Sequence, residues 1–312
     1  MAVCSEESDA IFHNGMKTLA LIGVGKWGKN IVSTLERLPE ARLRYLCARK
    51  KESLAPYPDT YEKLTDWHKI LERTDLDAVL IATPPSTHYE FIESALKAGK
   101  DVFVEKPMVL SLREAEQIQE LVLESGRVFM VGYEYLFNDH INYLKKEIEN
   151  GSLGKILEVR HEHVLSPSRP DVDIFWDEAP HPLSIFLHFF NPQKLISAEG
   201  DIQHDTASVQ ATFEKAPSLR IIASCLGNTK TRKLTIIGEK STAVLDETLK
   251  ENKVAITKNG QTTYPEINSS EPLRNELKHF VRCIETRETP LSNVDFGCRI
   301  TEWLETILEK LK

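Results

Sequence analysis

The chain has 312 residues, a formal net charge of −8 and 41% hydrophobic residues, values that favour two globular domains. Its acidic balance argues against nucleic-acid binding, and no apolar run approaches the roughly 20 residues of a membrane span. The polar first sixteen residues do not resemble a secretion signal, so we expect residues 1–15 to be a disordered tail. Five scattered cysteines without a CxxC pair predict reduced thiols in a cytoplasmic protein and no metal site.

Strands and helices alternate over residues 16–137, the pattern of a parallel sheet in an α/β domain. Two capping boxes, Thr87 with Glu90 and Ser111 with Glu114, predict the starts of two helices. The predicted strands are Thr18–Val24, Leu43–Cys47, Ala78–Ala82, Val102–Glu105 and Val128–Val131. This order predicts a dinucleotide-binding (Rossmann) domain.

Longer strand-like runs without intervening helices fill much of residues 138–312. They are Ile156–Leu165, Ser208–Glu214, Ser218–Cys225, Lys233–Ile237 and Thr242–Asp246, and amphipathic helices follow near Pro272–Thr286 and Asp295–Leu311. Consecutive strands predict an α+β domain with a large open, mostly antiparallel sheet. Because a second subunit often covers one face of such a sheet, we expect an oligomer.

A glycine-rich loop, Gly23-Val24-Gly25-Lys26-Trp27-Gly28, follows the first predicted strand and opens a helix. In a dinucleotide fold the first glycine permits a tight turn, the second admits the pyrophosphate, and the third lets helix and strand pack closely. Unpaired N–H groups at the start of the helix favour phosphate. We therefore predict a cofactor site that includes Gly23, Gly25, Lys26, Trp27 and Gly28, the alternative being a plain glycine turn.

The end of the second strand predicts the type of dinucleotide. An acidic residue there would bind the ribose hydroxyls of NAD. This chain instead has Cys47-Ala48-Arg49-Lys50-Lys51. Arg49 and Lys50 can bind a 2′-phosphate, so NADP is favoured and NAD remains possible. The alternative is a solvated basic turn in an enzyme that accepts either cofactor.

The third strand ends in Ala82-Thr83-Pro84-Pro85-Ser86-Thr87-His88. The prolines end the strand and shape a rigid loop where the nicotinamide half of a cofactor would lie. Thr83, Pro84 and Ser86 are candidate contacts. His88 is included in the cofactor site, although a histidine bonded to backbone at the start of a helix is an alternative.

The fourth strand ends in Glu105-Lys106-Pro107. Because ligands bind outside the carboxyl ends of parallel strands, Lys106 is expected to point at the bound dinucleotide and to act in proton transfer. Glu105 could pair with this lysine or contact the carboxamide region of the cofactor. A surface Glu–Lys pair is the alternative.

A second candidate group lies in Trp176-Asp177-Glu178-Ala179-Pro180-His181. If a helix begins there, Asp177 and His181 are four residues apart and share one face. A carboxylate and an imidazole near one hydroxyl could fix a substrate and take its proton. A helix-start aspartate with an unrelated histidine is the alternative.

These motifs resemble those of the glucose–fructose oxidoreductase/inositol dehydrogenase (Gfo/Idh/MocA) family of NAD(P)-dependent oxidoreductases. The resemblance covers about residues 16–312 and includes the EKP motif at Lys106. It implies a Rossmann domain, a C-terminal open-sheet domain and frequent dimers or tetramers. It maps the family's lysine onto Lys106 and its aspartate and histidine onto Asp177 and His181. Many members carry an acidic residue where this chain has Ser184.

The sequence therefore predicts an NADP-preferring oxidoreductase that moves a hydride between nicotinamide and a secondary alcohol or ketone of a sugar, nucleotide sugar or polyol. His181 would be the general base, Lys106 would polarise the substrate oxygen, and Asp177 would orient the histidine or a hydroxyl. Two alternatives remain: a non-catalytic dinucleotide sensor on the same fold, and a glycosidase that uses tightly held NAD.

Overall fold

The computed structural model describes residues 16–165, 169 and 171–312, so the predicted tail at 1–15 lies outside the described residues. The strands of the first domain are β1 Lys17–Ile22, β2 Ala41–Cys47, β3 Glu62–Leu64, β4 Ala78–Ile81, β5 Asp101–Glu105 and β6 Phe129–Gly132. Its helices are α1 Lys26–Leu35, α2 His68–Leu71, α3 His88–Lys97 and α4 Leu112–Ser125. The predicted alternation of strands and helices is confirmed.

All six strands form one parallel sheet in the order β3-β2-β1-β4-β5-β6. The strand order reverses between β1 and β4, and the carboxyl ends of these strands flank the crevice where such sheets bind ligands. Every residue of β4 and β5 is buried, as expected for strands covered on both faces. The Rossmann prediction is therefore confirmed.

The two predicted capping boxes have different outcomes. The Ser111 hydroxyl accepts a hydrogen bond from the Glu114 amide at 3.2 Å and caps α4. Thr87 does not cap α3, because its backbone has helical angles (φ −108°, ψ −7°) and no backbone N–H of α3 donates to its hydroxyl, which faces Thr83 Oγ1 at 2.8 Å and the Pro84 carbonyl at 2.7 Å. The capping box at Thr87 was wrong, and its hydroxyl braces the preceding loop.

An eight-stranded sheet dominates the second half of the chain, in the order β14-β13-β12-β11-β7-β10-β9-β8. Its strands are β7 Ile156–Val164, β8 Leu195–Ile202, β9 Thr206–Phe213, β10 Ser218–Ser224, β11 Thr231–Gly238, β12 Thr242–Asp246, β13 Val254–Lys258 and β14 Gln261–Thr263. Only β7 and β10 pair in parallel, and the other neighbours are antiparallel. The predicted mostly antiparallel open sheet is confirmed.

Helices cover one face of this sheet. The helices of this half are α5 Asp139–Glu149, α6 Ile174–Glu178, α7 Pro180–Phe190, α8 Pro272–Thr286 and α9 Val294–Lys310, and α6, α7 and α9 contact strands of the sheet. Strand β9 alternates exposed and buried residues, and its buried Phe213 packs on Phe186 of α7 and Trp303 of α9 with ring centroids 4.7 and 4.8 Å apart. The core of this half therefore lies between the sheet and its helices.

Helices α8 and α9 also pack on the first domain. Cys298 Sγ in α9 contacts the Ala115 carbonyl of α4 at 3.3 Å, and Gln119 of α4 bonds Asp295 at 2.7 Å. The proposed boundary between residues 137 and 138 stays a prediction, because chain from beyond it covers the first domain. Within the described ranges, no helix is long and apolar enough to cross a membrane.

Candidate active site

The glycine loop between β1 and α1 fits a dinucleotide. A Cβ on Gly28 would collide with the Gly23 carbonyl oxygen, and Gly23 itself has φ of 101° with no room against Ala82. Gly25 differs, because a Cβ there would meet no atom within 4 Å. It sits at the N-cap of α1, where no side chain caps the helix and no acidic residue occupies the first turn. Free N–H groups beside open space are what a pyrophosphate requires.

The predicted basic turn lies beside this loop. The Gly23 amide donates to the Cys47 carbonyl at 2.9 Å, which places the end of β2 next to the glycine loop. Arg49 and Lys50 follow β2 and are exposed. Neither is paired with a carboxylate of the residues described. Both cations are therefore available to an anionic ligand.

The buried ring of His88 contacts the backbone of the loop after β4. Its Nε2 lies 3.0 Å from the Thr83 carbonyl, and its Nδ1 lies 2.9 Å from the Pro107 carbonyl and 3.2 Å from that of Met108. The ring is fully buried, and burial lowers its pKa. Thr83, Pro84 and Ser86 retain some exposure above it. These three residues are accessible to a cofactor, whereas the buried His88 forms hydrogen bonds with the backbone of two loops.

Trp27 of the glycine loop donates its indole N–H to Glu105 at the end of β5. Burial raises the pKa of Glu105 to about 8, against the opposing effect of this hydrogen bond. Burial likewise raises the pKa of two nearby acids, Glu134 and Glu276. Glu105 is thus linked to the cofactor loop and not to the neighbouring Lys106, which was the first of its two predicted partners.

The Lys106 side chain contacts Asp177 in the second half of the chain. Its Nζ donates to Asp177 twice, to the main-chain carbonyl at 2.6 Å and to Oδ1 at 2.9 Å. Arg169 donates to the same Oδ1 at 3.0 Å and also pairs with Asp171. Both Lys106 and Asp177 are largely withdrawn from water. Asp177 therefore holds the lysine and the arginine at one oxygen.

His181 lies beyond the break between α6 and α7, in the first turn of α7. Its Nδ1 is buried without a hydrogen-bond partner among the described residues, while the ring as a whole is partly exposed. Burial, reinforced by the positive charge of Lys106, lowers the pKa of His181 well below its usual range. The ring packs edge to face on Tyr135, with centroids 5.1 Å apart. A neutral imidazole at this position can accept a proton.

Several polar groups of the site were missed from the sequence. His163 of β7 contacts Glu178 at 2.6 Å, and Arg232 of β11 donates to the Tyr135 hydroxyl at 2.8 Å while pairing with Glu247 at 2.9 Å. The signal for β7 was visible in Arg160-His161-Glu162-His163, a polar strand in which alternate residues share a face. Arg232 and Glu247 carried no local signal, because strand pairing brings them together.

A compact metal-ligand group lies elsewhere in the described part of the chain. The ligand atoms of His279, Cys283 and Glu288 lie within 4.8 Å of one another on and after α8. His279 Nε2 already accepts a hydrogen bond from the Leu291 amide at 3.0 Å, and Glu288 is paired with Arg282. These partners occupy the groups that a metal would need, so the expectation of no metal site stands as a prediction.

Known proteins resemble this chain in sequence and in fold. A model of the oxidoreductase family with an NAD-binding Rossmann fold (GFO_IDH_MocA) matches residues 17–133. The chain is 34% identical over 145 residues to scyllo-inositol 2-dehydrogenase (NAD(+)) of Bacillus subtilis strain 168, covering 44% of this chain and 41% of that protein. It is 27% identical over 192 residues to myo-inositol 2-dehydrogenase of Thermotoga maritima, covering 58% of this chain and 55% of that protein.

A crystal structure extends the similarity over both domains. A provisionally named oxidoreductase of Magnetospirillum magnetotacticum MS-1 is 29% identical, with a TM-score of 0.81 over 96% of this chain and 100% of that one. The fold and motifs define a two-domain protein with an NAD-binding Rossmann domain. Residues 17–133 match the model of the Gfo/Idh/MocA family, which confirms the resemblance over the Rossmann domain. The sequence matches span about 41% to 63% of the length of three curated relatives.

Proposed function

We propose that this protein is an NADP-preferring oxidoreductase that interconverts a secondary alcohol and a ketone on a sugar, nucleotide sugar or polyol. The observation that carries the proposal is the convergence of Lys106, Asp177 and His181 at the carboxyl end of the parallel sheet. A dinucleotide bound at the glycine loop supplies the acceptor or donor of the hydride. The two inositol dehydrogenase relatives support a polyhydroxylated substrate.

The side chains divide the acid–base work. His181 is neutral because burial and Lys106 lower its pKa, so it takes the proton of the substrate hydroxyl. The Lys106 ammonium donates a hydrogen bond to the substrate oxygen as negative charge develops there. Asp177 holds the ammonium in place through two contacts. The site therefore places a base and a hydrogen-bond donor near one oxygen atom.

The cofactor would be held at three places. Gly25 and the start of α1, with Lys26 and Trp27, receive the pyrophosphate, and Thr83, Pro84, Ser86 and Glu105 flank the nicotinamide half. Arg49 and Lys50 receive a 2′-phosphate, which supports NADP. The scyllo-inositol dehydrogenase relative is named for NAD(+), so NAD is the competing choice.

The first experiment titrates the purified protein with NADPH and with NADH, following protein fluorescence. Tight NADPH binding then leads to assays of inositols and aldoses with NADP+, followed by the absorbance of the reduced nicotinamide. Binding of neither dinucleotide would overturn the proposal. Binding without turnover of any polyol would favour the sensor, and cofactor that survives purification without net reduction would favour the glycosidase.

We further propose that the protein is cytoplasmic, since its scattered cysteines suit reduced thiols. We also expect a homodimer or homotetramer, because the outer face of the eight-stranded sheet carries half-exposed apolar residues. They include Ile222, Ile237 and Val244 on β10, β11 and β12. Light scattering of the purified chain tests this expectation, and a monomer at micromolar concentration would contradict it.

A further inference from the structure

A buried acid–imidazole pair lies beside the proposed base. His163 Nδ1 contacts Glu178 Oε2 at 2.6 Å, and the two side chains are only 12% and 6% exposed. Glu178 is the final residue of α6, three positions before His181, whereas His163 lies on β7 of the sheet. His163 on the sheet therefore holds the carboxylate of Glu178, which lies at the end of the short helix α6.

Glu178 stays ionised despite its burial. Burial by itself would raise the pKa of Glu178, but the hydrogen bond from His163 and the positive charge of Lys106 lower it below its usual range. Asp177 is already engaged by Lys106 and Arg169. Glu178 thus supplies a second buried negative charge, in addition to that of Asp177.

The surroundings of His181 oppose a positive charge on its ring, with one exception. The charged groups with the largest effect on it lie on four elements, Lys106 after β5, Arg232 on β11, His161 on β7 and Glu178 on α6, and the Tyr135 ring packs on it at 5.1 Å. Of these four charged groups, the first three disfavour the imidazolium and Glu178 favours it. A nearby carboxylate makes proton uptake by a base in this setting less costly, because it offsets the new positive charge.

We propose that Glu178, held by His163, is a positioning residue of the reaction that stabilises the imidazolium formed when His181 takes the substrate proton. This inference rests on the proposed function. The proton passes from the substrate hydroxyl to His181 and stays there, and Glu178 contributes charge without accepting it. Nδ1 of His181 is buried, which leaves Nε2 to meet the substrate.

Replacing Glu178 by glutamine tests the charge, since the amide keeps the shape of the side chain. In E178Q we expect NADPH affinity within twofold of wild type, turnover at the pH plateau lowered about tenfold, and the acid limb of the pH–rate profile moved to lower pH. Exposed Glu124 on α4 provides the matched control, E124Q, with an unchanged profile. An acid limb in E178Q at the wild-type position would overturn the inference.

His163 is tested by two substitutions. H163N keeps a donor near the position of Nδ1 and should retain most of the wild-type profile, whereas H163L removes the donor and should resemble E178Q. A wild-type profile in H163L would overturn the role of His163. If E178Q fails to fold, E178D keeps the charge at a shorter reach, and its acid limb should lie close to that of wild type.

A measurement without substrate separates this inference from the proposed function. Histidine-labelled protein is titrated by NMR, and the His181 signal is assigned by its loss in H181N. We expect the ring to stay neutral to lower pH in E178Q than in wild type. Equal titrations would refute the inference even if polyol oxidation were found. A shifted titration in a protein that oxidises no polyol would refute only the proposed function.

Discussion

Lys106 and Asp177, 71 residues apart in the chain, are joined by two hydrogen bonds from a single ammonium group. Lys106 follows a strand of the parallel sheet, and Asp177 lies on a helix packed against the antiparallel sheet. The contact therefore fixes how the two halves of the site face each other. It also places the ammonium where a substrate oxygen could replace one carboxylate contact.

Removing the ammonium should abolish turnover and spare cofactor binding. For K106A we expect turnover lowered by about 10²–10⁴-fold, the range for loss of a positioned acid–base group, with NADPH affinity within threefold of wild type. Stopped-flow turnover and fluorescence titration measure the two quantities. Exposed Lys97, paired with Glu93 on α3, gives the control K97A. Full turnover in K106A would refute the role given to this lysine.

The basic turn should decide between the two dinucleotides. Loss of a charge-assisted hydrogen bond costs about 1.5–3 kcal/mol, so R49A with K50A should weaken NADPH binding by roughly 10- to 100-fold and leave NADH binding unchanged. The exposed Lys69 of α2 supplies the control K69A. Equal loss for both dinucleotides, or for neither, would contradict a 2′-phosphate contact at this turn.

Two glycines of one loop should respond differently to alanine. G25A has ordinary backbone angles and open space, so it should leave the free energy of unfolding within about 1 kcal/mol of wild type while lowering dinucleotide affinity. G28A would force the loop away from the Gly23 carbonyl and should lower both. Urea unfolding and cofactor titration measure the pair. Wild-type affinity in G25A would show that no ligand approaches there.

Buried histidines should make the protein acid-sensitive. Burial lowers the pKa of His161 and of His188 from 6.5 to about 4. Between pH about 6.5 and about 4, these histidines are protonated in the unfolded chain but remain neutral in the folded protein. The free energy of unfolding therefore falls as the pH drops through this range. The loss is about 1.4 kcal/mol per pH unit for each histidine.

Urea unfolding at a series of pH values checks this slope. The H188Q substitution should lower the slope by about 1.4 kcal/mol per pH unit, the contribution of one buried histidine. The control H68Q, at an exposed histidine, should leave the slope unchanged. A free energy of unfolding that stays constant from pH 6.5 to 5 would contradict the burial argument.

Local patterns in the sequence predicted the parts of the fold that local chemistry determines. The strand Thr242–Asp246 and the helix Pro272–Thr286 have the predicted bounds, because alternation and an amphipathic face set them. Strand β3 has three residues, too few for periodicity. Helix α7 is apolar on nearly every side, so it has no amphipathic period to detect.

The candidate site divides in the same way. Lys106 was placed by its position after a strand, a rule of topology that holds for any open parallel sheet. His163 and Glu178 meet only because β7 pairs with β10 and β11 beneath α6, which depends on distant strands finding their register. Thr87 shows a third case, in which the local motif is present but the residue has helical backbone angles and its hydroxyl faces the preceding loop.

The packing of α9 on α4 bears on how this protein is made. Cys298 and Ala115 touch although 183 residues separate them. Because synthesis proceeds from the amino end, a ribosome-bound chain that stops before α9 leaves the α4 surface around Ala115 uncovered. The first domain therefore gains the cover over this part of α4 only after residue 298 has been synthesised, long after its own last strand.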